Sequence, residues 1–251
     1  NEFTSSNVTY DADGSKSVSK ASYDGVDVTQ ELSIIENSAT GRDDVVKIKY
    51  IVKNDTEYAK QVGIRIMMDT MLGGNDAAPF RVNGSDVTTE TVYSGSNIPQ
   101  IWQAFDSATN PGVVAQGTFY KSGDRKPDKV QFTNWGNVTS TLWDYVTQPG
   151  RSNGDSAVSI TWNKDTFTSG ETREFVTYYG LSELEQNLIP PLALSVYADN
   201  KVSISNFNYD DINANVYLDN IGDGDATDVS IKITADNLEP KYGTSLTHNY
   251  S

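Results

Sequence analysis

The chain has 251 residues, 34 acidic against 19 basic side chains, a net charge of −15 and no cysteine. This balance opposes nucleic acid, whose phosphates require Lys and Arg, and an anionic membrane surface. It also excludes disulfides, thiolate metal sites and thiol nucleophiles, and no apolar run approaches the ~20 residues of a membrane helix.

Residues 1–25 are polar and weakly patterned, and predict an arm or edge strand with turns. Val26, Val28, Leu32 and Ile34 give a first firm strand. Val46, Ile48, Tyr50 and Val52 alternate with Lys47, Lys49 and Lys53. Val62, Ile64, Ile66 and Met68 alternate with Gly63, Arg65 and Asp69. Period two places each set on one face of a strand, and the polar segment Asn54 to Gln61 between them predicts an antiparallel pair. Further strands are expected at Val87–Tyr93, after Pro99, at Val113–Tyr120 and Lys129–Phe132, from Ser156 to Trp162 and around Phe175–Tyr179. Short strands at this spacing, with no long helical period, predict an all-β chain: a large antiparallel β-sandwich followed by a smaller immunoglobulin-like β segment.

The domain reading is 1–181 for the sandwich with its polar N-terminal arm, 182–191 for a linker, and 192–251 for a partial or small immunoglobulin-like module. Ser182-Glu183-Leu184-Glu185 has the form of a capping box and predicts a short helix, stopped by Pro190-Pro191. Abundant Ser, Thr, Asn, Asp, Gly and Tyr lean toward a secreted or cell-surface protein, of which this would be a mature or excised segment.

The run from Ile51 to Phe80, with IPQIWQAFD, GDSAVSITW and FVTYYGL downstream, resembles β-sandwich domains of Gram-positive, often clostridial, extracellular surface proteins. Its strand order is similar to the supersandwich of galactose mutarotase-like proteins. Further on, LDNIGDGDATDVSIKI resembles the strand–turn–strand of cell-adhesion-related (CARDB-type) modules, with Asn220, Gly222, Ala226 and Val229 at the matching positions. The first resemblance implies a surface domain and the second a spacer or adhesive module. Mutarotase-type enzymes use histidines, and the one histidine here, His248, lies outside the resembling region, so that activity is not carried over.

Among candidate chemistries, His248 alone cannot build a nucleophilic triad. Paired carboxylates chosen from Asp69, Asp76, Asp106 and Asp155 would suit glycoside chemistry, but among 34 acids any chosen pair is unspecific, and solvated or turn-stabilising roles are the leading reading. Calcium takes oxygen ligands. Asp69, with Asn75 and Asp76 in the following loop, and Asp223, Asp225 and Asp228 in GDGDATD are the candidates, with Asp11 and Asp13 in a further turn. A structural calcium is expected, and no organic cofactor. Trp102, Trp135, Trp143 and Tyr145 lie among amides, and flat rings beside Asn75, Asp76 and Gln103 suit a sugar. Burial under loops is the competing reading for these rings, while Trp162, alternating with Ile160 and Val158, is assigned to the core. The combined expectation is a non-catalytic extracellular binding module for a polysaccharide or surface glycan, carried beside other modules of a larger surface protein. A structural stalk or adhesin domain is the alternative, and a polysaccharide-active enzyme the third reading.

Overall fold

The computed structural model describes residues 8–37, 42–109 and 111–185, and beyond them 192–198, 204–205, 208–209, 214–220, 229–233 and 247–250. The chain begins with β1 (Val8–Tyr10), β2 (Lys16–Tyr23), β3 (Val26–Asn37), β4 (Arg42–Asn54) and β5 (Lys60–Asp69). Then come β6 (Phe80–Val82), β7 (Ser85–Val87), β8 (Thr91–Ser94), β9 (Ile101–Phe105), β10 (Val114–Thr118) and β11 (Lys129–Asn134). A five-residue helix, α1 (Trp135–Thr139), leads through a long loop to β12 (Ser156–Phe167) and β13 (Thr172–Leu181).

These strands form a β-sandwich. One sheet has nine strands in the order β1-β2-β3-β4-β13-β10-β9-β6-β7, and the other four in the order β5-β12-β11-β8; every pairing is antiparallel. The inward rows meet in one core containing Val52, Phe80, Trp102, Phe119, Phe132, Ile160, Trp162, Phe167 and Phe175. Trp162 is fully buried, as its alternation predicts, and its indole N–H donates to the Arg125 carbonyl at 2.9 Å.

The alternation on either side of Asn54 is real, but the two strands are not partners. β4 pairs with β3 and β13, whereas β5 pairs with β12 in the opposite sheet. Both strands carry one apolar row, and both rows can face a single core only if the chain crosses from sheet to sheet between them. The β12–β13 connection crosses at the same end. Asn54, fully buried, ties the two crossings: its amide donates to the carbonyls of Tyr58, Phe167 and Thr168. Its backbone exchanges hydrogen bonds with Glu171 and Gly170.

The expected helix is not seen where it would begin. Glu183–Glu185 is a strand, β14, and pairs with β15 (Leu192–Ala198), which pairs in turn with β18 (Ala214–Asn220). The alternation Leu192, Leu194, Val196 claims β14 as a partner, and that ladder outcompetes a local capping box. β16 (Ile204–Ser205) pairs with β17 (Asn208–Tyr209), and β19 (Val229–Lys232) with β20 (Thr247–Tyr250), which carries His248. Of the CARDB-like positions, Asn220 ends β18 and Val229 opens β19; Gly222 and Ala226 lie outside the described residues. Among the described residues no helix is long and apolar enough to cross a membrane.

Candidate functional site

The loop bearing the aromatic candidates is a strap across the outer face of the four-stranded sheet. That face presents Arg65 from β5, Lys129, Gln131 and Thr133 from β11, and Ala157 and Ser159 from β12. Arg65 holds the strap by its carbonyls: Nη2 donates to Val138 at 2.6 Å, and Nη1 to Thr141 at 2.8 Å and Trp143 at 3.1 Å. Gln131 donates to the Tyr145 carbonyl at 2.7 Å, and Lys129 pairs with Asp144. Val138, Tyr145 and Ala157 form a small second core, against which Trp135 packs.

Beneath the strap lies Glu90, 4% exposed, which nothing in the sequence singled out. Its carboxylate accepts from the Tyr145 hydroxyl at both oxygens (2.7 and 2.8 Å), from Thr133 Oγ1 at 2.9 Å, Asn137 Nδ2 at 3.2 Å and the Gln148 backbone at 2.6 Å. Burial pushes its pKa up, but these donors together outweigh burial and hold it below the usual glutamate range. The only hint in the sequence was one acid inside the β-branched run VTTETVY.

This arrangement corrects the proposed ring platform. Trp102 is in the central core, 1% exposed, stacked on Tyr179 with centroids 5.6 Å apart and touching Phe80, Phe119 and Phe132. It fits because Gly117, its cross-strand neighbour, has no Cβ; one built there would lie 2.0 Å from the indole. Gln103, 3% exposed, faces away from that core and is not an open hydroxyl partner. Tyr145 is spent on Glu90. Trp143 lies over Gly63, whose Cβ would come within 2.5 Å of its ring, with the Lys164 ammonium 5.6 Å from the ring centroid. Trp135 and Trp143 are both half-buried, and Trp135 stands at a sheet end, where β11 runs into α1.

At that end three carboxylates converge. Asp69 closes β5, Asp155 precedes β12, and Asp76 comes from the intervening loop; a ligand oxygen from each lies within 4.8 Å of the others. The local bonds explain the meeting. Thr70 donates from backbone and hydroxyl to the Ser156 carbonyl, and the Ser156 N–H donates back to the Asp76 carbonyl at 2.7 Å. The Trp135 backbone N–H donates to the Asp155 carbonyl at 2.7 Å, which ties the start of α1 to the cluster, while the Trp135 ring packs on the small second core. Asp155 has its pKa raised by burial first, then by the charges of Asp76 and Asp69, against a hydrogen bond from the Gly136 backbone.

Asn75 stands beside this cluster but is engaged: its amide donates to the Asp106 carbonyl and its oxygen accepts from Ala77 N–H. The Asp106 carboxylate caps Gly112 and Val113. Asp11 and Asp13 accept from Ser15 and Lys16 in the β1–β2 turn. Asp223, Asp225 and Asp228 lie outside the described residues.

Ligand oxygens on opposite sides of a calcium, each about 2.4 Å from it, lie at most about 4.8 Å apart, so the three carboxylates have a spacing that one such ion could satisfy. Asp155, its pKa raised, thus stands beside two further carboxylates, and paired carboxyl groups are what acid–base chemistry at a glycosidic bond requires.

No protein-family model and no curated protein matches the sequence. Among solved structures, a "putative aldose 1-epimerase" from Klebsiella pneumoniae is matched over 66% of this chain at 11% identity, with a TM-score of 0.30. The chain spans 50% of that structure's length. The expectation of a chain without catalytic activity is not upheld: the matched protein is named as an enzyme, and a likeness this distant decides neither for nor against catalysis.

Proposed function

We propose that the chain is a carbohydrate-binding domain of an extracellular surface protein, with its ligand site at the sandwich end formed by Asp69, Asp76, Asp155 and Trp135. The convergence of the three acids, with the Trp135 backbone bonded to the Asp155 carbonyl, supports this reading. The acids hold a calcium ion, and the ring offers an apolar edge to a sugar whose hydroxyls reach the ion and carboxylates. The segment from Glu183 onward serves as a spacer between this domain and other modules of the same protein, its strands pairing among themselves.

A glycan array probed with the purified chain, in calcium and in chelator, tests this. Binding that requires calcium and is lost in Trp135→Ala and in Asp76→Asn, both still folded by circular dichroism, is the expected result. If no glycan binds under either condition, the stalk or adhesin reading replaces this one.

A further inference from the structure

A second concavity lies on the outer face of the nine-stranded sheet, and strand register sets its floor. Thr118 faces Tyr178 and Gln116 faces Gly180 across β10–β13; across β13–β4, Tyr178 faces Lys47 and Gly180 faces Val45. Gly180 leaves the middle of the floor bare, and a Cβ there would lie 2.4 Å from the Asp44 carbonyl oxygen. Lys121, just past β10, folds over the floor with Nζ 4.4 Å from the Tyr178 ring centroid. Glu36, Leu181 and Val196 complete the lining of this shallow cleft, which is open to solvent.

Three donors here are unspent. Among the described residues, the Gln116 amide, the Thr118 hydroxyl and the Lys121 ammonium donate no hydrogen bond, and Lys121 is in no ion pair. Asp124, the nearby acid, is already engaged: Oδ2 accepts from the Lys121 backbone N–H at 2.8 Å and from the Tyr178 hydroxyl at 3.0 Å. Burial lowers the Lys121 pKa, Asp124 opposes this and Lys47 adds to it, with a net downward shift. A chain of net charge −15 thus keeps two ammonium groups near one another above a polar floor. Asp124 acts on Lys121 without forming an ion pair with its ammonium, so a bound anion would supply the direct contact that this half-buried charge lacks.

We infer that this cleft binds a small acid by its carboxylate, with Lys121 as counter-charge and Gln116 and Thr118 as neutral donors. A singly charged group fits better than phosphate: the cleft lining holds no arginine, and Glu36 at the rim repels a dianion. The site uses none of the residues assigned to the calcium-dependent glycan site.

Calorimetric titration of the full chain with glucuronate, glucose and inorganic phosphate, in chelator, tests it. Glucuronate should bind the parent and the Trp135→Ala variant alike, and glucose neither. Lys121→Met, which keeps the stem over Tyr178, should weaken glucuronate at least about tenfold, or 1.4 kcal/mol. Gln116→Leu is the second variant if Lys121→Met misfolds, and should weaken it as well. The inference is overturned if glucuronate does not bind the parent, or binds a folded Lys121→Met or Gln116→Leu equally well. Phosphate binding tighter than glucuronate would overturn the carboxylate assignment.

Discussion

Replacing Glu90 by alanine should release the strap. The carboxylate is the common acceptor for Tyr145, Thr133, Asn137 and the Gln148 backbone. Asn137 and Gln148 are close enough to solvent to recover a water partner. Thr133 and Tyr145, 0% and 8% exposed, are not. Each buried donor left unmet costs about 1–3 kcal/mol, so the two together cost roughly 2–6 kcal/mol. For a domain of this size about 3 kcal/mol lowers the melting temperature by roughly 6–12 °C. Urea denaturation at neutral pH, followed by far-UV circular dichroism, measures the loss. The sign with pH is fixed as well. A carboxyl with a depressed folded pKa contributes stability above its unfolded pKa, and that contribution disappears as pH falls through the folded value. The gap between parent and Glu90→Ala should therefore narrow below the usual glutamate range, leaving only the packing difference. A Glu90→Ala protein within 1 kcal/mol of the parent at neutral pH, or a gap that does not change with pH, would refute the reasoning.

Gly117→Ala drives a methyl into the Trp102 indole and should destabilise the domain by about 3 kcal/mol or more, read from the urea midpoint. Arg65→Met removes the donors to three strap carbonyls and should cost roughly 2–4 kcal/mol; chymotrypsin should then cut faster near Leu142, the fully exposed strap tip. Asp155→Asn removes one of three mutually repelling charges, so its melting temperature in chelator should rise, while millimolar calcium, which should stabilise the parent, should shift the variant less.

Strand positions were legible because period-two alternation reports burial directly. Ile48–Val52, Val62–Met68 and Val158–Trp162 face the core as their spacing requires, whereas Val46, at the other end of its row, is exposed. Partnership was not legible. A polar linker such as Asn54 to Gln61 can close a hairpin or cross between sheets, and the choice rests on contacts with Phe167, Thr168 and Glu171, more than a hundred residues away. The burial of Trp102 and Tyr145 was not legible for a related reason. The ring of Trp102 is buried because Gly117 makes room for it, and Tyr145 because Glu90 waits beneath, and neither partner is near in sequence. Asp69 and Asp76 could be grouped by their shared loop. Asp155 joins them only because β12 runs beside β5, so that Ala157 stands opposite Asp69.

The pairing of β4 also bears on how the chain is made. β1 to β4 form a meander of neighbouring hairpins and can assemble as soon as they are synthesised. The partner on the other side of β4 is β13, whose Gly180 meets Val45 only after most of the sandwich has been translated. Until then β4 is a thirteen-residue open edge, the kind of template on which nascent chains aggregate. Lys47, Lys49 and Lys53 punctuate that edge. In the finished molecule they line one face of a sheet; during synthesis the same three charges guard an unpaired ladder.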